Sequence, residues 1–318
     1  MDVAPPLEHD LNSWVKTIGV TLGAAMVLVP AAALSAMHVV IIEGLGGESR
    51  YTEQFSEQIA AIESAAQSLT TSDRIRVFRA DEASRDAVLQ FFETLKSQIA
   101  DDDQLALYLI GHGSYDDYEY KFNIQGPDLT GEDLAGMLDG MPETSQLLVS
   151  TGSASGAIAE LVASDNRMLI LGTRSGAERH ATRFGIYFAA ALDDPTADLD
   201  KNQLLSAAEA FSFAERRVDD YFERNGQLAT EHPRMEGERA NRFNVARIGS
   251  ARPDSDDGVL AELISGRDEL NARVDSLRLD QDSMTPADYR SRLLQNMIEL
   301  AESEEAIEQR ERELSGEN

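Results

Sequence analysis

Between Met37 and Leu171, short β-branched apolar runs alternate with longer amphipathic stretches, and this alternation constrains the fold more than any other feature of the chain. Met37–Ile42, Arg74–Phe78, Leu105–Ile110, Gln146–Ser150 and Arg167–Leu171 read as strands. The stretches from about Tyr51 to Leu69 and from about Glu82 to Ile99 carry apolar residues at helical spacing. Strands that are apolar almost throughout must be covered on both faces, and the intervening helices supply the cover. The pattern predicts a three-layer α/β domain, a mostly parallel sheet flanked by helices, from residue 37 to residue 247.

Both ends of the chain depart from this pattern. Residues 1–36 hold an apolar run, Thr17 to Ala36, behind Lys16, which closes on Pro30 and a series of small residues. It reads as a secretory signal cut near Ala36. Glu8 and Asp10 upstream of Lys16, and a run of about 20 residues that could span a bilayer, leave an N-terminal membrane anchor as the alternative. Either reading places the bulk of the chain outside the cytoplasm, periplasmic or secreted, or membrane-anchored and facing the periplasm. After a Ser-, Asp- and Pro-rich linker, residues 248–258, residues 259–318 change character again. Leu260, Leu263, Leu270, Val274 and Leu277 form a narrow seam interrupted by Arg267, and Thr285-Pro286-Ala-Asp288 opens a second helix with Leu293, Met297, Leu300 and Ile307 on its seam. The segment is expected to be a helical hairpin or coiled coil, either offering itself to a helical partner or packing on its own main domain.

The chain has 57 acidic against 28 basic residues, a formal charge of -29, which repels phosphate backbones and excludes nucleic acid as a partner. It has no cysteine, so disulfides, thiolate metal sites and a thiol nucleophile are all absent.

Two turns follow the central strands. Gly111-His112-Gly113-Ser114 comes directly after Leu105–Ile110; a histidine there, between glycines that let a substrate approach, is placed for proton transfer or for a purely structural role. Ser150-Thr-Gly-Ser153-Ala-Ser-Gly156 follows the next apolar strand, where backbone N–H groups can hold an oxyanion and a hydroxyl is presented for attack. Adjacent parallel strands would bring His112 and Ser153 to one edge of the sheet.

A strand ending in His-Gly followed by a strand ending in Cys-x-Ser-Gly resembles the legumain family of caspase-like cysteine peptidases, and Met37 to about Tyr221 is similar to its bacterial members. Here the motifs read His112-Gly113 and Ser153-Ala154-Ser155-Gly156, with serine where the family has its nucleophilic cysteine. The resemblance implies His112 for proton transfer, Ser153 at the nucleophile position and Gly113 among the oxyanion donors. It further implies a primary pocket at Arg50, Arg174 and Ser175, where a guanidinium could pair with an acidic side chain or an amide oxygen. A hydroxyl needs closer base assistance than a thiol. The expectation is therefore a peptidase-family protein impaired in catalysis that binds a peptide or protein ligand; the alternative is an active hydrolase with a Ser153–His112 dyad.

Finally, Asp198-Leu-Asp-Lys-Asn-Gln-Leu-Leu-Ser-Ala-Ala-Glu209 matches the twelve-position calcium loop. Asp198, Asp200, Asn202, the Leu204 carbonyl, Ser206 and Glu209 would be the ligands. Gln203 stands where such loops carry glycine, and the competing reading is an acidic start to the following helix.

Overall fold

The computed structural model describes residue 1 and residues 36–248, 257–279 and 284–315. The apolar run expected to be a signal or anchor, residues 17–36, therefore lies outside the described residues apart from Ala36, as does most of the expected linker. Among the described residues no helix is long and apolar enough to cross a membrane.

In chain order the elements are β1 (Met37–Glu43), α1 (Ser49–Gln67), β2 (Ile75–Phe78), α2 (Arg85–Leu95), β3 (Gln104–Ile110), β4 (Gly113–Tyr115), β5 (Tyr120–Phe122), β6 (Leu129–Thr130), α3 (Gly131–Asp139), β7 (Ser145–Ser150), β8 (Arg167–Leu171), α4 (Phe184–Ala191), β9 (Leu204–Ser206), α5 (Ala207–Arg224), β10 (Arg234–Glu236), β11 (Asn244–Arg247), α6 (Gly258–Leu279) and α7 (Pro286–Ser315). The main sheet runs β10-β8-β7-β3-β1-β2 and is parallel except for β10. Five of its strands are those read from the sequence. The β2 run begins one residue later than expected, because Arg74 belongs to a 3-10 turn, and α2 is shorter than the stretch from Glu82 to Ile99.

Alternation along β1 divides the interior into two cores. Val39 and Ile41 face one layer with Phe55, Ile59 and Ile62 of α1, Phe184 and Phe188 of α4 and Phe211 of α5. Val40 and Ile42 face the other with Val88 and Phe92 of α2 and Leu134 and Leu138 of α3. Each of these fully buried side chains contributes roughly 1.5–3 kcal/mol, which is why the sheet has no solvent face. The expected three-layer α/β architecture with a mostly parallel sheet is the one the chain adopts.

The strand order has one reversal. From β1 the chain moves outward to β2, then returns to β3 on the other side of β1 and proceeds to β7 and β8. The crevice between the carboxyl ends of β1 and β3 is thus the topological switch point, where ligands bind in open α/β sheets.

The C-terminal helices pack on each other through Leu260, Ile264 and Ile307. α7 is opened by Thr285, whose Oγ1 accepts from the Asp288 amide at 3.2 Å, as the capping pattern predicts. Arg267, which breaks the apolar seam of α6, is 1% exposed and docks the hairpin: its Nη1 donates to Gln203 Oε1 at 2.8 Å. Asn271 Nδ2 donates to the Asn202 carbonyl at 3.2 Å, and Arg247 makes a paired contact with Asp268. The hairpin thus packs on its own main domain.

Candidate active site

β3 and β7 are neighbours, with Leu109 in register with Ser150. His112 and Ser153 each lie three residues beyond that matched pair, so two separate turns leave the sheet side by side. Glycine is required for them to meet. A Cβ on Gly113 would stand 2.5 Å from the Ser153 carbonyl oxygen, and one on Gly152 would stand 2.5 Å from the Gly111 carbonyl and 3.0 Å from the Gly113 nitrogen. The Gly113 amide thus faces the Gly152–Ser153 turn.

The His112 ring is half-buried at the switch point. Tyr51 and Phe55, one turn apart on α1, meet it edge-on with centroids at 4.6 Å and 5.1 Å. Burial lowers its pKa below the usual histidine value, while the Gly46 carbonyl and the Glu48 carboxylate pull the other way. The neutral imidazole is therefore the favoured form at neutral pH. Ser153 is buried, and no hydrogen bond joins its Oγ to the His112 ring among the described residues.

The Ser153 turn is fixed from the opposite side. Ala154 takes a left-handed conformation with φ 56° and donates its amide to the Glu178 carbonyl at 2.8 Å. Ser155 Oγ lies 3.2 Å from Thr173 Oγ1, which also accepts from the Gly156 amide at 3.0 Å. The segment that follows is a 3-10 turn, Ser155–Ile158. The other hydroxyls, Thr151 and Ser155, are committed to buried hydrogen bonds.

The proposed pocket residues fall on two sides. Arg50 is exposed, pairs with Glu48 at 3.0 Å and lies over the Tyr51 ring at 4.6 Å, which connects it to the His112 side. Arg174 is exposed too, and its loop with Ser175 packs against Gly156 on the Ser153 side. The Arg174 guanidinium pairs with Glu178 at 3.8 Å. Sequence reasoning missed Tyr51, Phe55 and Glu178. Glu178 gathers the amides of Arg174 and His232 and pairs with His232 Nδ1 at 2.6 Å. The Tyr51 and Phe55 spacing of four, just after the Gly44–Gly47 turn, was the available signal; nothing local marks Glu178.

The acidic loop lies elsewhere, where β9 meets α5. Asp198, Asp200 and Glu209 each offer a carboxylate oxygen within 4.8 Å of the others. Asp198 is buried; burial foremost, with Glu209 and Asp200 adding, raises its pKa against the opposing amides of Gln203 and Asn202. Gln203 adopts φ 65°, so the sharp turn forms without glycine. Asn202 Oδ1 accepts from the Leu204 amide at 2.7 Å. Ser206 caps α5 in a reciprocal box with Glu209, the arrangement of the competing helix-start reading, and Glu209 Oε1 also accepts from the Leu199 amide at 2.9 Å. The carboxylates at positions 1, 3 and 12 suit a hard divalent cation.

No known family model matches the chain, and no curated protein matches it in sequence. Among solved structures it is similar to a Geobacter sulfurreducens protein at 13% identity and TM-score 0.45, covering 67% of this chain and 97% of that one. It is similar to caspase-1 from Spodoptera frugiperda at 11% identity and TM-score 0.42, covering 64% and 89%. A third is a secreted C11 cysteine protease from Bacteroides thetaiotaomicron, in complex with an irreversible peptide inhibitor, at 14% identity and TM-score 0.34, covering 59% of each chain.

Proposed function

We propose that this chain is a caspase-like peptidase relative, working outside the cytoplasm, whose cleft between the His112 and Ser153 turns binds a peptide or protein ligand without efficient cleavage. The observation that carries the proposal is the unlinked pair: two residue types suited to acyl transfer at matching positions beyond adjacent parallel strands, with no hydrogen bond among the described residues from the serine hydroxyl to the imidazole, which is bonded instead to the Gly46 backbone. A thiolate tolerates such separation because it is already a nucleophile; a hydroxyl must pass its proton to the base as it attacks. Arg50 and Arg174 flank the cleft and would pair with an acidic or amide side chain of the ligand.

The second reading, an active Ser153–His112 dyad, is favoured by the neutral state of His112, the form that can accept a proton. One experiment separates the two. The protein is assayed against peptides carrying Asn, Asp or Arg at the cleavage position, as wild type, Ser153→Cys, Ser153→Ala and His112→Ala. The binding reading expects a silent wild type and turnover restored in Ser153→Cys. Wild-type cleavage lost in both Ser153→Ala and His112→Ala supports the dyad, and cleavage that survives Ser153→Ala sinks both.

The Asp198–Glu209 loop is proposed to take calcium through Asp198, Asp200, Asn202, the Leu204 carbonyl, Ser206 and Glu209. Support lies in the match of ligand spacing with a loop already turned at Gln203. Export rests on the apolar run Thr17–Ala36, and the N-terminal residue of the mature protein, read after expression with its own leader, distinguishes a cleaved signal from an anchor.

A further inference from the structure

The segment between β8 and α4, residues 172–183, has no regular structure and carries Arg174 and Ser175 of the cleft. Such a segment is ordinarily the loosest part of a site, yet here it is fastened from two directions. The fastener is Glu178, whose side chain is 13% exposed. Its Oε2 accepts from the Arg174 amide at 2.9 Å and from the His232 amide at 3.0 Å, and its Oε1 pairs with His232 Nδ1 at 2.6 Å. The Glu178 carbonyl accepts from the Ala154 amide at 2.8 Å.

That last bond reaches the residue after Ser153. Ala154 has φ 56°, a conformation that a residue with a Cβ keeps only where its surroundings over-determine it. His232 arrives from far along the chain. β10 is antiparallel to β8 with Arg234 opposite Leu171, so the residues just before β10 lie at the carboxyl edge of the sheet, beside the turn that follows β8. Glu231, 3% exposed, accepts from the Arg183 and Phe184 amides at 2.8 Å and 3.1 Å and fixes the far end of the same segment. We infer that Glu178 and His232 are positioning residues that hold the Ser153 turn and the Arg174 segment together as one wall of the cleft. An ionised carboxylate makes the stronger kind of hydrogen bond, and one side chain that gathers donors from two segments fixes both at once. Its removal leaves the Arg174 and His232 amides without their acceptor. The inference rests on reading the two turns as a ligand cleft, but its test needs no ligand.

The chain has no cysteine, so Ser153→Cys carries a single thiol at the position in question. Its alkylation by iodoacetamide is followed at fixed pH. Ser153 is buried, and the rate therefore reports how often the turn opens. In this background Glu178→Ala should speed alkylation by roughly tenfold and His232→Ala by about threefold, whereas Glu178→Gln, which keeps an oxygen for the amides, should stay within about twofold of the parent. Val218→Ala, a cavity in the core face of α5, lowers stability elsewhere and should leave the rate unchanged. Val218→Ala speeding alkylation as much as Glu178→Ala does would mean that the thiol is reached by global unfolding, and would overturn the inference. So would a His232→Ala rate equal to the parent's, the outcome that decides if Glu178→Ala does not fold. Peptide binding tests the cleft separately: a wild type that binds none of the Asn, Asp or Arg peptides removes that reading and leaves the alkylation result standing.

Discussion

At the scale of single residues, the His112 imidazole is held edge-on by two aromatic rings and loses hydration that its charged form needs. Its folded pKa is lowered, so below the ordinary value near 6.5 the folded state binds fewer protons than the unfolded chain. The contribution to stability is therefore greatest above that value and declines as pH falls toward the lowered one. His38 shifts in the same direction through burial, partly opposed by Asp103, while the raised pKa values of Asp198 and Glu231 act with the opposite sign at lower pH. The effect of His112 is isolated by difference: on going from about pH 8 to about pH 5, wild type should lose more stability in urea titrations than His112→Ala does. Equal losses would place the ring in a far wetter setting than Tyr51 and Phe55 allow. Gly113 is the other sensitive residue. Gly113→Ala drives a methyl group into the Ser153 carbonyl and the Tyr120 ring, and should cost about 1–3 kcal/mol by denaturant unfolding while separating the two turns.

Among the elements, the hairpin owes its position to a residue that looked like a defect. Arg267 interrupts the apolar seam of α6, and as a sequence feature it argues for a weak helix pair; in the fold it is the buried plug that reaches Gln203. Arg267→Ala leaves Asp268 its Arg247 partner but removes the plug and its hydrogen bonds, and a loss of about 3 kcal/mol is expected. Faster amide exchange confined to α6 and α7 would show the hairpin loosened; uniform exchange across the chain would mean that α6 and the main domain open together. The same element shows where sequence reading stops. β1, β3, β7 and β8 were legible because both faces of each are buried, which makes them continuous apolar runs, and His112 and Ser153 were legible because each closes such a run. β4, β5 and β6 hold two or three residues apiece, too few for any periodicity. Tyr51 and Glu178 belong to the site through contacts across the fold; the spacing of Tyr51 and Phe55 on α1 is a local sign, whereas the loop after β8 gives none that Glu178 will meet the Ser153 turn. The second calcium-loop alternative, the helix cap, could not be separated from the first because Glu209 serves both.

For the whole molecule, that ambiguity becomes a measurable difference. A cation that binds only the folded chain stabilises it by about 2.7 kcal/mol at roughly a hundred times its Kd. Calcium should accordingly raise the melting temperature by several degrees, and Glu209→Gln should abolish the rise. A wild type indifferent to calcium would leave Glu209 as the cap of α5 alone. The main sheet ends on β2, four residues long, and on β10, three residues long and antiparallel. Both borders carry charge: Arg76 lies over Phe78 and pairs with Glu82 at 3.4 Å, and Arg234 pairs with Glu236 on β10. Short, charged borders give an incoming strand little to template on. Strand addition is therefore disfavoured at both ends of the main sheet, by the shortness of its border strands as much as by their charge.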